Sequence, residues 1–169
     1  MRVVEIAEIA VSKDEICRTI LEALPEWFGI QEAREAYARE AADLPMIVCR
    51  VDGAIVGFLS LKIHTSCAAE AYVLGIRPEF HRRGLGRRLF QGAERMLHER
   101  RICLLTVKTL APSHPDPGYA ATRRFYEAIG FLPVEVFPTL WGPANPCLFM
   151  IKPLFCVVPT PVGDAAPPS

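Results

Sequence analysis

The chain is 169 residues long, 51% of its residues are hydrophobic, and 19 basic residues balance 19 acidic ones. A chain of this length can bury one hydrophobic core, and its balanced charge excludes the strong positive field that a nucleic-acid partner requires. Residues 1–155 are therefore predicted to form one domain, and no nucleic-acid partner is expected.

The ends of the chain and its cysteines bear on where the protein is found. Glu5 and Glu8 interrupt the first apolar stretch, and no run of about 18 apolar residues occurs, so neither a secretory signal nor membrane association is expected. The six cysteines are scattered without a C-x-x-C pair, which is typical of reduced thiols in a cytoplasmic protein and indicates no metal site. The proline-rich segment 156–169 has little to bury and is predicted to be a disordered tail.

Two helices are predicted near the start of the chain. Ser12 and Glu15 have the spacing of a capping box, and the apolar residues that follow predict a helix from about residue 13 to 24. A second helix is predicted over residues 30–43, which are rich in alanine, glutamate and arginine.

The middle of the chain is predicted to form strands. Residues 46–63 contain two β-rich runs around Asp52-Gly53, a dipeptide that favours the tight turn of an antiparallel hairpin. Residues 69–76 are a third strand. Residues 102–110 are almost continuously apolar, which predicts a central strand that is covered on both faces.

The remaining elements complete a mixed sheet. A helix over residues 85–97 shows apolar residues at spacings of three and four, and a shorter helix is predicted over 122–131, where Gly130 suits a left-handed C-terminal cap. Residues 132–137 and 147–153 are strand candidates. The predicted fold class is α/β (α+β), with one central, mixed, mostly antiparallel twisted sheet of six to seven strands flanked by helices.

The segment between the third strand and its following helix, HRRGLGRRL over residues 81–89, predicts an anion site. The first amides of a helix and the positive end of its dipole attract anions, and glycine lets the backbone approach a phosphate closely. Arginine side chains add pairing with phosphate oxygens, so a pyrophosphate is the expected ligand. The dinucleotide fingerprint would need a third glycine where Leu89 stands, and no P-loop pattern occurs.

The sequence LGIRPEFHRRGLG at residues 74–86 resembles motif A of the GNAT superfamily of N-acetyltransferases, in which a strand leads to Q/R-x-x-G-x-G/A at the start of a helix. TRRFYEAIGF at residues 122–131 resembles the later helix motif of the same family. The resemblance covers residues 46–153 and departs from the motif at His81, which stands at the Q/R position. It implies a single GNAT-like domain with acetyl-CoA as cofactor and a V-shaped splay between the strands at 69–76 and 102–108.

The resemblance also implies which residues hold the cofactor, along the third strand, at the start of the next helix and on the later helix. These residues are Leu74, Gly75, Ile76, His81, Arg82, Arg83, Gly84, Leu85, Gly86, Arg87, Tyr119 and Tyr126. The amide of Ile76 would stabilise the oxyanion of acyl transfer. Tyr126 would protonate the departing thiolate, with a purely structural place in the core as the alternative.

Transfer to an amine requires a neutral nucleophile, whereas an alkylammonium has a pKa near 10.4. Glu70 lies fourteen residues before Gly84, where histone-acetylating members of the family carry their glutamate base, and Tyr72 is the alternative. Glu70 would act directly or through water. The period of two in a strand predicts that Glu70, Tyr72, Leu74 and Ile76 share one side of it.

The resemblance places the acceptor opposite the cofactor, and Trp27, Phe28, Tyr72 and Trp141 are predicted to line its site. The predicted function is direct transfer of the acetyl group of acetyl-CoA to a primary amine of a small molecule or peptide in a ternary complex. The alternatives are a non-catalytic acyl-CoA sensor of the same fold and a nucleotide-dependent oxidoreductase. A homodimer formed through the sheet edge or the C-terminal strands is a further hypothesis.

Overall fold

The computed structural model describes residues 2–154, and the predicted tail at 156–169 lies outside them. Along these residues the elements are β1 (Val4–Ile9), α1 (Lys13–Glu22), α2 (Gln31–Ala41), β2 (Met46–Val51), β3 (Ala54–Ile63), β4 (Ala68–Ile76), a 3₁₀ turn (Pro78–Phe80), α3 (Leu85–Glu99), β5 (Leu104–Leu110), α4 (Pro117–Ala128), β6 (Leu132–Phe137) and β7 (Cys147–Pro153).

The strands form one seven-stranded sheet in the order β1-β2-β3-β4-β5-β7-β6. The β4–β5 pair is parallel, and every other neighbouring pair is antiparallel. The predicted fold class is therefore confirmed.

Helices cover both faces of this sheet. On one face α1 and α2 bury Cys17, Ile20 and Leu21 against β2, β3 and β4. The opposite face packs against α3 and α4. Gly75 of β4 lets α1 come close, because a Cβ there would lie 3.0 Å from Ile20 Cγ2.

Local turn chemistry was predicted correctly at two positions. Asp52 and Gly53 both have positive φ values, 51° and 84°, as a tight hairpin turn between antiparallel strands requires. Gly130 has a φ of 105° directly after α4, in agreement with its predicted role at the end of that helix.

Three local predictions were wrong or incomplete. Ser12 makes no capping hydrogen bond, because its backbone is left-handed with a φ of 56° rather than extended. Helix α4 begins at Pro117 instead of residue 122, since Asp116 caps it. Strand β1 was not predicted. It is an edge strand that exposes Glu5 and Glu8, so its apolar signal is short.

The cysteines only partly follow the prediction. Cys17, Cys49 and Cys147 are buried free thiols and Cys67 is an exposed free thiol, whereas Cys103 is disulfide-bonded, which contradicts the expectation of reduced thiols throughout. Within residues 2–154 no helix is long and apolar enough to cross a membrane. The same residues contain no group of three or more side chains that could hold a metal ion.

Candidate functional site

The sheet opens into a V-shaped gap between β4 and β5. The two strands pair only over Ala68–Glu70 and Leu104–Thr106. Beyond these residues β4 remains paired with β3, and β5 remains paired with β7. The predicted splay is thus present, and Glu70 lies at its closed end.

A β-bulge changes which side chains share a face of β4. Ser60 of β3 lies opposite Val73, but the next residue, Leu61, lies opposite Ala71, so Tyr72 is the additional residue. The alternation of side chains is shifted by one position there. Tyr72 packs on the side of α1 and α2.

The bulge makes one sequence prediction wrong. Leu74 and Ile76 pack against the cluster formed by α3 and α4, on the face opposite Glu70 and Tyr72. The four residues therefore do not share one side of the strand, because the rule of alternation holds only for an uninterrupted strand.

The edge of β4 in the gap presents backbone hydrogen-bonding groups. Arg77 N donates to Val56 O at 2.8 Å. Since hydrogen-bonded positions alternate along an antiparallel pair, the N–H and C=O groups of Leu74 and Ile76 point away from β3, into the gap. His81 Nε2 lies 2.6 Å from the Ile76 carbonyl oxygen. An extended chain could pair with this edge through the groups of Leu74 and the N–H of Ile76.

The N-terminus of α3 lies directly after this edge. Gly84, at the N-cap, has a φ of 74°, and no side chain within the described part of the chain caps the helix. The amides of residues 85–87 precede the first helical hydrogen bond, from Arg88 N to Gly84 O. Gly86 packs against α4, where a Cβ would lie 3.0 Å from the Phe125 ring. The exposed arginines around these amides are Arg82, Arg83, Arg87 and Arg88. This arrangement suits a phosphate group.

Tyr126 of α4 is packed inside the core. Its ring contacts those of Phe90, Phe125 and Phe131, and the residue is 5% exposed. Burial raises the pKa of the Tyr126 hydroxyl above its ordinary value. The hydroxyl therefore remains protonated, and able to donate, at neutral pH.

Trp27 connects the two sides of the gap. Its backbone carbonyl lies 3.5 Å from the Tyr119 hydroxyl of α4, and its ring meets the His81 ring edge-on at 6.0 Å between centroids. Burial raises the pKa of Tyr119. Among the described residues, Trp141 makes no ring contact and is 43% exposed, in the connection between β6 and β7.

A row of aromatic rings lies on the side of α1 and α2. Phe28 contacts Tyr37 at 5.9 Å and Tyr37 contacts Tyr72 at 5.5 Å, between ring centroids. The Lys62 ammonium lies 4.0 Å from the centroid of Tyr72 and 2.7 Å from Glu40 Oε2. Burial, followed by the hydrogen bond to Glu40, raises the pKa of Tyr72. Sequence reasoning selected Phe28 and Tyr72 and missed Tyr37, which stands in a helix of otherwise small and charged residues.

Glu70 is a buried carboxylate with partners on both oxygens. The residue is 6% exposed, and no other charged residue within 2–154 is classed as buried. Glu70 Oε1 lies 2.9 Å from Lys108 Nζ, and Glu70 Oε2 lies 2.6 Å from His64 Nε2. A buried carboxylate is costly unless it is paired, so these contacts explain how it is tolerated.

Sequence reasoning missed both partners of Glu70. Lys108 is the second residue after Thr106 on β5, so strand alternation places it on the same face as the residue opposite Glu70. This signal was available once the two strands were known to be neighbours. His64 lies in the connection between β3 and β4 and carried no pattern of its own.

Comparison with known proteins identifies relatives of this chain. A family model described as an acetyltransferase (GNAT) domain matches residues 42–133. Mycothiol acetyltransferase from Beutenbergia cavernae is 34% identical over 85 residues, which cover 50% of this chain and only 27% of that protein.

Solved structures of GNAT enzymes share the fold. Aminoglycoside 6′-N-acetyltransferase, solved in complex with coenzyme A, matches with a TM-score of 0.73 and 17% identity, over 91% of this chain and 99% of that one. The ribosomal-protein-S18-alanine N-acetyltransferase from Escherichia coli matches with a TM-score of 0.71 and 17% identity, over 93% of this chain and 97% of that one. At these identities the likeness concerns the fold.

Proposed function

Because the chain belongs to the GNAT acetyltransferase family, we propose that it transfers the acetyl group of acetyl-CoA directly to a primary amine of a small molecule or peptide, within a ternary complex. The observation that carries this proposal is the gap between β4 and β5, whose backbone edge at Leu74 and Ile76 faces away from β3 and leads to the N-terminus of α3. Acetyl-CoA supplies a reactive thioester on a long amide-containing arm that ends in a pyrophosphate.

The residues at the gap fit such a cofactor. The N–H and C=O groups of Leu74 and the N–H of Ile76 point away from β3 and could pair with the amides of the arm, as an added strand would. The amides of residues 85–87 and the exposed arginines of the loop 81–87 suit the pyrophosphate. Tyr119 and His81 both contact Trp27, which joins α4 to the loop that follows β4.

Three groups would contribute to the transfer step. The amide of Ile76 would donate to the carbonyl oxygen as negative charge develops on it. The Tyr126 hydroxyl, which is protonated at neutral pH, would donate to the departing sulfur. Glu70, at the closed end of the gap, belongs to the group of side chains through which the acceptor ammonium would lose its proton.

The amine would approach from the side of α1 and α2. Phe28, Tyr37 and Tyr72 form a row of rings on that face, next to Glu70. Aromatic faces attract cationic groups, which favours an acceptor that arrives as an ammonium. The names of the relatives above describe transfer to an aminoglycoside and to a protein alanine, both amines. These names support the reaction class for this chain and leave the acceptor to be identified.

Acetyl-CoA binding and coenzyme A release test this function. Binding is measured by titration calorimetry, and release is measured against a panel of small amines and lysine-bearing peptides. Product coenzyme A is best quantified by chromatography, because the exposed thiol of Cys67 would itself react with a colorimetric thiol reagent. Amine-dependent release together with an acetylated amine supports the proposal. Binding without release would favour an acyl-CoA sensor, and absence of binding would refute both.

Tyr126→Phe separates catalysis from binding. The substitution removes one oxygen from a side chain that is packed among three phenylalanine rings, so the fold and the acetyl-CoA affinity should be kept. Loss of a general acid should lower kcat by about 10²-fold. An unchanged kcat would show that Tyr126 is only part of the core.

A further inference from the structure

Glu70 has no oxygen left without a protein partner. Lys108 Nζ lies at Oε1, and His64 Nε2 lies at Oε2, at 2.9 Å and 2.6 Å respectively. Lys108 supplies the positive charge that compensates the buried carboxylate. The contact with His64 therefore does not serve charge balance and requires another explanation.

His64 is the solvent-facing end of this chain of contacts. Its side chain is 44% exposed, whereas that of Glu70 is 8% exposed. An uncharged imidazole beside a carboxylate donates from the nitrogen that contacts it, so Nε2 carries the proton and Nδ1 keeps its lone pair. Among residues 2–154 nothing is bonded to Nδ1, so His64 combines a fixed tautomer, an available acceptor nitrogen and access to water, next to the closed end of the gap.

We propose that His64 is the proton acceptor of the acyl-transfer site and that Glu70 is a positioning residue, which holds the imidazole through the contact between Glu70 Oε2 and His64 Nε2. This inference rests on the proposed function and assigns the proton within it. The same division of roles between an imidazole and a buried carboxylate is effective in other catalytic sites.

The protons and electrons of the step balance. The acceptor ammonium gives one proton, through water, to His64 Nδ1. The neutral amine then forms the C–N bond to the acetyl carbon with its lone pair as the C–S bond breaks, and the sulfur keeps the electron pair of that bond. Tyr126 donates to the departing sulfur and regains the second amine proton. His64 releases its proton to solvent, so that an N-acetyl amine, a thiol and one proton result.

Substitution of His64 tests the assignment in the full chain. His64→Gln should lower kcat by about 10²-fold with the acetyl-CoA affinity unchanged. His98→Gln, on the exposed surface of α3, is the matched control and should leave kcat as in the wild type. If His64→Gln keeps more than half of the wild-type kcat, the assignment is wrong.

Rescue by free imidazole distinguishes proton transfer from a structural role. His64→Ala leaves an opening at an exposed position, where added imidazole can bind. We expect imidazole to restore part of the lost rate in a saturable way and to have no such effect on the wild type or on His98→Gln. A slow His64→Ala variant that imidazole does not accelerate would overturn the assignment.

The tautomer of His64 can be measured without turnover. Nitrogen-15 correlation spectra of the free chain should show the proton on Nε2 in the wild type, and a mixture of tautomers in Glu70→Gln. A proton on Nδ1 in the wild type would overturn the inference. Failure of the proposed function would be distinguished by the release assay. In that case the wild type would release no coenzyme A with any amine, and this result does not depend on the tautomer of His64.

Discussion

Asp116 caps α4, the helix that carries Tyr119 and Tyr126. Its Oδ1 accepts from Gly118 N at 2.7 Å and from Tyr119 N at 3.4 Å. We predict that Asp116→Ala lowers the free energy of unfolding by about 1–2 kcal/mol. The cap contributes about 1 kcal/mol, carried mainly by the shorter bond, and a negative charge at a helix N-terminus adds about 0.3–1 kcal/mol.

Asp116→Asn is the matched control, because the amide keeps an oxygen for the cap and loses only the charge. Its cost should be about 0.3–1 kcal/mol. In a chain of this size 1 kcal/mol corresponds to about 2–4 °C in Tm. Thermal unfolding followed by circular dichroism should therefore show Tm values lower by about 2–8 °C for Asp116→Ala and by about 1–4 °C for Asp116→Asn.

The difference in Tm between the two variants tests the contribution of the cap. If the alanine and asparagine variants have equal Tm values, the side-chain cap contributes nothing measurable and the argument from the Gly118 bond is refuted. Urea unfolding supplies an independent free energy, and the slope of its denaturant dependence should be the same in both variants because the folded state is unchanged.

Further predictions concern packing, thiol reactivity and pH. A Cβ at Gly92 would lie 2.5 Å from Ile6 Cγ2, so Gly92→Ala should cost about 1–3 kcal/mol in urea unfolding. In the Gly92→Ala variant, a second substitution Ile6→Ala should relieve the clash because it removes Cγ2. The substitution Ile6→Val keeps Cγ2 and should not relieve it. Equal effects of the two second substitutions on stability would contradict the contact. Burial raises the pKa of Cys17 to about 12, so iodoacetamide should label the exposed Cys67 at least about tenfold faster, and equal labelling in peptide mass spectra would argue against that burial. Burial also raises the folded-state pKa of Tyr126 above the value of about 10 of an unfolded tyrosine, so its contribution to stability is intact below about pH 10 and is lost above it. Between about pH 9 and 11 the free energy of unfolding, measured in urea, should fall more steeply for the wild type than for Tyr126→Phe. Parallel decreases in the two proteins would count against a raised pKa of Tyr126.

The amino-acid sequence alone determined the local features of this protein. The turn at Asp52-Gly53 and the left-handed Gly130 follow from residue-specific backbone preferences, which act over a few residues. The glycine and arginine segment 81–89 predicted the start of α3 for the same reason. Its resemblance to motif A pointed to the GNAT family, which the family model confirms.

The tertiary structure decided how the site is assembled. The bulge at Tyr72 arises from the register of β4 against β3, and it turns Leu74 and Ile76 to the face opposite Glu70. Register depends on the packing of whole strands, so the alternation rule could not reveal the bulge. The contact between Glu70 and Lys108 joins residues 38 positions apart. Such a pair forms only after β4 and β5 have become neighbours, because charge compensation of a buried carboxylate depends on which side chains the fold brings together.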